Sequence, residues 1–330
     1  MGGLKELRDD IVAYGPCAVP GVPQIAYRAL WKHGLNPYPR RFALTHLTHQ
    51  GSKLAYGAFA RKVLLTVHDV NYLKVDEVSA FTKRRWMGKV ARNLWLADRV
   101  VCISQTTRRD LLEVPLFRRA IADKQVDVVY NGLAFPTESL PREALPEPLA
   151  LQRPYILNIG ESKPKKNQLT LVRMLPYIEE DVVLVLNPQD NAYAVCVQEE
   201  ARRLGVGSRL HVYSYVGEGA KQALLQFARA MVHPSLAEGF GYTPVEQMYH
   251  RHPVFLSRCG SLPEIGGGAA YYFADPQQPE QMAEEYRRGM ADYIAHRAAR
   301  DAALRSRAEE FSQGHMAQAY SRIYDELLQA

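Results

Sequence analysis

The sequence predicts an α/β protein made of doubly wound parallel sheets. Three observations carry this. Short apolar runs of strand length alternate with segments of helical period along most of the chain. Runs such as Val182–Leu186 are apolar without alternation, as in strands buried on both faces. The chain has 330 residues, 47% of them hydrophobic, enough for two domains that each bury a core.

Met1-Gly2-Gly3 precedes a charged, helix-like Leu4–Arg8, which reads as a start without a signal peptide. Ile11–Tyr14 is the first strand candidate. Lys62–Val67, Arg99–Ile103 and Val126–Tyr130 follow as strands, with helices expected over Ser79–Ala97 and Thr106–Leu112. Phe135–Pro154 holds five prolines in twenty residues and no period, which is linker composition. Beyond it the strands are Tyr155–Gly160, Val182–Asn187, Arg209–Val216, Ala230–His233 and Pro253–Ser257. The helices between them are Gln168–Leu175, Tyr193–Leu204 (closed by Gly205), Lys221–Phe227 and Pro244–Tyr249, with a last helix at Met316–Leu328. The expected division is a first Rossmann-like domain over 1–140, a second over 150–312, and a closing segment over 313–330.

Composition excludes several classes. No run approaches the ~20 apolar residues of a membrane span. Cysteines 17, 102, 196 and 259 are scattered, without C-x-x-C pairing, as in a reducing cytoplasm; no metal-ligand cluster and no D-x-D pair stands out. Residues 1–150 carry 22 basic and 14 acidic side chains, and the remainder 19 and 21. The first half therefore holds the positive field and favours an anionic acceptor or surface. Over Thr82–Ala97, Met87, Val90, Ala91 and Leu94 share one helical face, with Arg85, Lys89 and Arg92 roughly opposite. An ordinary domain helix explains this, as does contact with an anionic membrane, given Trp86, Trp95 and eight basic residues between Lys83 and Arg109. No helix-turn-helix or RNA-binding pattern appears, so nucleic acid is not an expected partner.

The most informative stretch is VHPSLAEGFGYTPVE, residues 232–246. A strand ends in a Pro-Ser turn, Glu238 stands at the lip of a Gly-Phe-Gly loop, and Glu246 lies in the helix that follows. The glycines allow close backbone approach, and the new helix aims free N–H groups and its positive dipole end at an anion. Carboxylates accept hydrogen bonds from hydroxyls. A nucleotide-sugar is both hydroxyl-rich and anionic.

With its E-x7-E spacing, the downstream Pro253-Val254-Phe255-Leu256-Ser257 and the loop Ser261–Ile265, this region resembles the C-terminal signature of retaining glycosyltransferases of family 4, over about Tyr155–Ala274. The resemblance implies a GT-B fold, two Rossmann-like doubly wound domains facing across a cleft, the first binding the acceptor, the second the donor, with the last helix crossing back. It implies a retaining, metal-independent hexosyltransferase without a cofactor. Such an enzyme moves a sugar from a nucleoside-diphosphate donor to a saccharide or lipid-linked acceptor in polysaccharide, lipopolysaccharide or glycolipid synthesis, in the cytoplasm or at the inner face of the membrane.

Residue by residue, Glu238 is expected beside the donor sugar and Glu246 at the ribose hydroxyls. Gly239, Phe240, Gly241, Tyr242 and Thr243 are expected around sugar and phosphate, with Phe240 mainly packing. Lys166, in Gly160–Asn167, matches the family's phosphate-loop lysine. Glu161 stands where the family has arginine, a departure for which Lys163 or Lys165 compensates. Gly160 belongs to the same loop, and Val216 marks the nucleobase. On the acceptor domain His68 in Thr-Val-His-Asp matches the family's strand-end histidine, which the resemblance implies is catalytic and points across the cleft toward the sugar, with Asp69 orienting it or meeting the acceptor, and Ser104 and Asn131 at neighbouring strand ends. The family's opening strand and glycine-rich turn are not found in this sequence: either the natural chain starts earlier or the first sheet lacks an edge, and Ile11–Tyr14 is then the counterpart of the family's second strand. A phosphorylase or epimerase of the same fold is a rival reading, and a catalytically silent subunit supporting a partner is another.

Overall fold

The computed structural model describes residues 4, 7, 8, 10, 11, 13–15, 24–26, 42–52, 60–73, 79–146, 153–187 and 191–329. The chain forms two compact units, one from residues 1–132 with 311–330 and one from 133–310.

In the first unit, β1 (Ala13–Gly15) and β2 (Gln24–Ala26) pair in parallel as a sheet of their own. The main sheet is parallel with strands in sequence order, β3 (Phe42–Leu47), β4 (Ala60–Val67), β5 (Arg99–Cys102) and β6 (Gln125–Val128). Three helices follow its strands: α1 (Ala80–Leu96), α2 (Gln105–Glu113) and α3 (Pro115–Ala120). Alternation along the strands builds two cores. Val63, Leu65, Val67, Val100 and Cys102 pack with Val90, Ala91 and Leu94 of α1, Leu111 and Phe117. Leu64 and Val101 belong to the cluster on the opposite face.

The second unit holds six parallel strands, β7 (Tyr155–Glu161), β8 (Asp181–Asn187), β9 (Leu210–Tyr213), β10 (Ala230–His233), β11 (Val254–Ser257) and β12 (Tyr271–Phe273). Between and after them run α4 (Gln168–Met174), α5 (Ala192–Arg203), α6 (Glu218–Phe227), α7 (Tyr242–Tyr249), α8 (Leu262–Gly266), α9 (Pro279–Ala295) and α10 (Arg297–Glu309). The spatial order is β12-β11-β10-β7-β8-β9. The winding reverses between β7 and β10, and at such a switch point the two following loops part and leave a crevice at the carboxyl ends of the strands. The last helix, α11 (Gln313–Gln329), returns to the first unit, where Ala317, Tyr320, Ile323, Tyr324 and Leu327 cover Leu64 and Val101.

Four expectations need correction. The main sheet of the first unit begins with Phe42–Leu47, an unexpected strand, whereas the Ile11–Tyr14 candidate corresponds to β1, which pairs elsewhere. The strand expected over Arg209–Val216 ends at Tyr213, and Arg209 instead donates to the carbonyls of Leu175, Ile178 and Glu180. Helices over Pro115–Ala120, Leu262–Gly266, Pro279–Ala295 and Arg297–Glu309 were not anticipated. The proline-rich segment is no free tether where it is described. Phe135 stacks on Tyr249 at 4.1 Å, the Tyr249 hydroxyl donates to the Pro136 carbonyl, and Leu140 exchanges two hydrogen bonds with the Gln226 side chain. Cys17 and Met1–Gly3 lie outside the described residues.

Candidate functional site

At the switch point of the second unit two loops are stitched together by hydrogen bonds. The first follows β7 and makes one 3-10 turn over Pro164–Lys166. Asn167 ends that turn at φ 58°, a left-handed conformation that asparagine tolerates better than most residues. Its Nδ2 donates to the carbonyls of Pro234 and Pro276, and its Oδ1 accepts from Thr170. The Leu236 N–H donates to the Lys165 carbonyl at 2.7 Å. These bonds set the loop after β7 against the loop after β10.

Across that seam the Lys166 Nζ lies 2.5 Å from Glu238 Oε2. The His233 Nε2 lies 3.0 Å from the same oxygen. Both side chains flanking the carboxylate are largely buried, so the pairing is far less screened than on the surface. Burial pushes the Glu238 carboxyl upward, but His233 and Lys166 outweigh burial and bring it down to about 2. The Glu238 backbone is fixed too. Gly260, at φ 57°, lies against it so closely that a β-carbon would collide with the Glu238 carbonyl oxygen, and the Ser261 N–H donates to that oxygen.

Gly239, Phe240 and Gly241 lead into α7. Gly241 caps that helix at φ 103°, a backbone shape that needs glycine. Phe240 is buried and its carbonyl accepts from the Ser261 hydroxyl, whereas Tyr242 is exposed and Thr243 half-buried. Tyr242 and Thr243 supply N–H groups in the first helical turn; Pro244 has none. Within α7, Glu246 Oε1 takes the Lys221 Nζ at 2.8 Å, and Lys221 also meets Glu218 at 3.2 Å. Burial raises the Glu246 carboxyl, and Lys221 only partly offsets it. Val216 lies in the loop between β9 and α6. Gly160 lies within β7, close to the Lys166 stem and Gln168. Glu161 is flanked by Lys163 at 3.1 Å and Lys165 at 3.8 Å, so its charge is locally compensated and both lysines are engaged there.

In the first unit, His68, Ser104 and Asn131 follow the carboxyl ends of β4, β5 and β6. His68 is oriented by the Thr48 carbonyl, which accepts from Nε2 at 2.7 Å, and its ring stacks on His49. This corrects the idea that Asp69 orients it: Asp69 Oδ1 accepts from the Asn71 N–H. Gln50, unremarked in the sequence, braces both residues by accepting from the His68 N–H and donating to the Asp69 carbonyl. Ser104 is fully buried and caps α2, accepting from Thr107 N and donating to Thr107 Oγ1, which leaves its hydroxyl no access to an acceptor sugar. Asn131 is buried with Nδ2 unpartnered.

Sequence reasoning missed His233, Lys221 and Gly260, and named Asn167 only as the end of the Gly160–Asn167 loop motif. His233 reads as the last residue of an apolar strand, and Lys221 stands twenty-five positions from its partner. Among the described residues no group of ligands could hold a metal ion, and no helix is long and apolar enough to cross a membrane.

Comparisons with known proteins identify the family and the fold. The family model described as Glycosyl transferases group 1 matches residues 142–307. The chain is similar to the O-antigen chain mannosyltransferase RfbU of Salmonella typhimurium, 22% identical over 224 residues, covering 68% of this chain and 60% of that protein. It is similar to the phosphatidylinositol N-acetylglucosaminyltransferase gpi3 subunit of Schizosaccharomyces pombe, 20% identical over 234 residues, covering 70% of this chain and 49% of that protein. The chain thus spans less than two thirds of the length of these relatives. Among solved structures, sucrose-phosphate synthase from Thermosynechococcus elongatus superposes with a TM-score of 0.70 at 20% identity, over 87% of this chain and 74% of that one. Anabaena HepE in complex with UDP and glucose superposes with a TM-score of 0.64 at 18% identity, over 81% and 72%. These likenesses establish a GT-B fold with two Rossmann-like domains.

Proposed function

The chain belongs to the glycosyl transferases group 1 family, and from that premise we propose that it is a retaining, metal-independent hexosyltransferase using a nucleoside-diphosphate-sugar. The observation that carries this reading is the Lys166–Glu238–His233 cluster at the switch point of the second unit. It sets one cation and one carboxylate side by side, next to a glycine loop and a helix N-terminus. A nucleotide-sugar needs this at the bond between diphosphate and sugar.

In this reading Lys166 turns from Glu238 to the diphosphate, whose greater negative charge attracts it. The N–H groups of Tyr242 and Thr243 face the same oxygens. The bond between the anomeric carbon and the β-phosphate oxygen breaks, and its electron pair stays on the diphosphate. Lys166 stabilises that developing charge. The acceptor hydroxyl forms the new bond on the face being vacated and passes its proton to the departing phosphate oxygen. Glu238 accepts from sugar hydroxyls and offsets positive charge at the anomeric carbon, while Glu246 accepts from the ribose. Val216 borders the nucleobase. On the first unit His68 serves the reaction as a catalytic residue and Asp69 meets the acceptor.

A saccharide or lipid-linked acceptor fits the relatives, one a mannosyltransferase of O-antigen chains, the other an N-acetylglucosaminyltransferase subunit acting on phosphatidylinositol. Contact with an anionic inner membrane surface fits α1. Phe81, Trp86, Trp95 and Leu96 are exposed on it, and Ala80–Leu96 contains five basic and no acidic residues.

The test is a thermal-shift screen against UDP, GDP, ADP and their hexose conjugates, followed by assay of the stabilising donor with and without EDTA. One nucleobase family is expected to raise Tm and its sugar to turn over equally in EDTA. Stabilisation without turnover would favour a silent subunit, and no stabilisation by any of them would overturn the reading.

A further inference from the structure

The transfer chemistry above does not require His233, yet the residue is built into the site. It closes β10, after Ala230, Met231 and Val232, where an apolar side chain would satisfy the strand. Its ring is buried, Nε2 donates to Glu238 Oε2 at 3.0 Å, and Nδ1 is buried without a hydrogen-bond partner. A buried polar atom left unpaired is costly. That cost points to what the other ring nitrogen does.

Lys166 and His233 converge on one oxygen of one carboxylate, Oε2. Lys166 cannot stay there and also serve a diphosphate. Once it turns, the buried Glu238 loses its cation while its backbone stays held by Gly260 and Ser261. We propose that His233 is a positioning residue that keeps the Glu238 carboxylate hydrogen-bonded and aimed after Lys166 has left it. With Oε2 held by His233, Oε1 is the oxygen turned to the donor sugar. This inference rests on the proposed roles of Glu238 and Lys166.

Among the described residues, the charged or titratable groups that act on Glu238 are His233 and Lys166, so removing them in turn separates their effects. In protein carrying 13C-labelled glutamate, the Glu238 carboxyl is assigned by its loss in Glu238→Gln. In Lys166→Met its titration midpoint is expected to stay below that of an exposed glutamate. In Lys166→Met with His233→Met it is expected to rise above that of an exposed glutamate, because burial then acts unopposed. His233→Gln, whose amide nitrogen can reach the position of Nε2, is expected to restore most of the difference. Equal midpoints with and without His233 would overturn the proposal.

Turnover of the best of UDP-glucose, UDP-N-acetylglucosamine, GDP-mannose and ADP-glucose supplies the second readout. His233→Met is expected to lower kcat about tenfold with little change in donor KM, to move the acid limb of the profile to higher pH, and to be largely rescued by His233→Gln. If His233→Met does not fold, His233→Asn replaces it, its shorter amide falling short of Oε2. Normal kcat in His233→Met alongside an inactive Glu238→Gln would overturn the positioning role alone. Normal kcat in both would overturn the reading of Glu238 beneath it.

Discussion

Each glutamate of the E-x7-E pair has a lysine. Lys166 meets Glu238 from the loop after β7, and Lys221 meets Glu246 from α6. Both pairs are part-buried, so removing one partner leaves the other charge uncompensated, at a cost below the roughly 3–5 kcal/mol of a fully buried pair. At Glu238 that cost is softened, because His233 remains when Lys166 is removed. Lys166→Ala is therefore expected to fold. Lys166→Ala and Glu238→Ala are each expected to lower kcat at least about a hundredfold, since each deletes a charge acting on the transition state. Steady-state kinetics on the stabilising donor, with Tm as the control for folding, checks both. A near-normal rate in either variant would contradict the assigned roles. Glu161 adds a lesson of the same kind. A carboxylate in a phosphate loop looks unfavourable in sequence, but Lys163 and Lys165 lie against it and reduce its repulsion.

At the scale of elements, legibility followed hydrophobic pattern. Strands buried on both faces, such as Asp181–Asn187 and Ala230–His233, read directly from their apolar runs. Phe42–Leu47 did not, because Thr45 and His46 interrupt its run. They are polar for a reason of packing. His46 bonds Thr66 and Tyr324 at 2.7 Å each, and Thr66 meets Tyr320, so a polar network ties the sheet to α11. Burial and the nearby His68 hold the His46 imidazole down at about 3, neutral within that network. In the candidate site the motif glutamates and Lys166 were legible because each stands in a local sequence motif, the glutamates in the loop after β10 and the helix it enters, Lys166 in the loop after β7. His233, Lys221 and Gly260 were not, because their partners meet them only through the strand order.

The helix α1 was legible as basic and amphipathic, but not which aromatics it exposes. With Trp95 exposed and Arg85 and Arg92 on the same exposed side, cosedimentation is expected with vesicles containing anionic phosphatidylglycerol and not with pure phosphatidylcholine. Trp95→Ala with Phe81→Ala is expected to weaken it several-fold, because inserted aromatic area contributes beyond charge. Equal sedimentation with both vesicle types, or none with either, would contradict the surface role.

For the whole molecule, charge and family resemblance divide along the chain. The family match covers residues 142–307, most of the second unit, while the excess of basic residues lies in the first 150. The central proposal is that the second unit is a nucleotide site, with Glu246 assigned to the ribose and Glu238 to the sugar alone. Replacing a carboxylate by an amide keeps its size and loses the charge that strengthens hydrogen bonds from hydroxyls, a difference of about 1–2 kcal/mol. The most direct measurement is calorimetric titration of the preferred nucleoside diphosphate, without sugar, into Glu246→Gln and Glu238→Gln. Binding about tenfold weaker in Glu246→Gln and nearly unchanged in Glu238→Gln is the result expected. Weakening in Glu238→Gln alone would reverse the two roles, and full affinity in both would place the nucleotide outside this crevice and contradict the account.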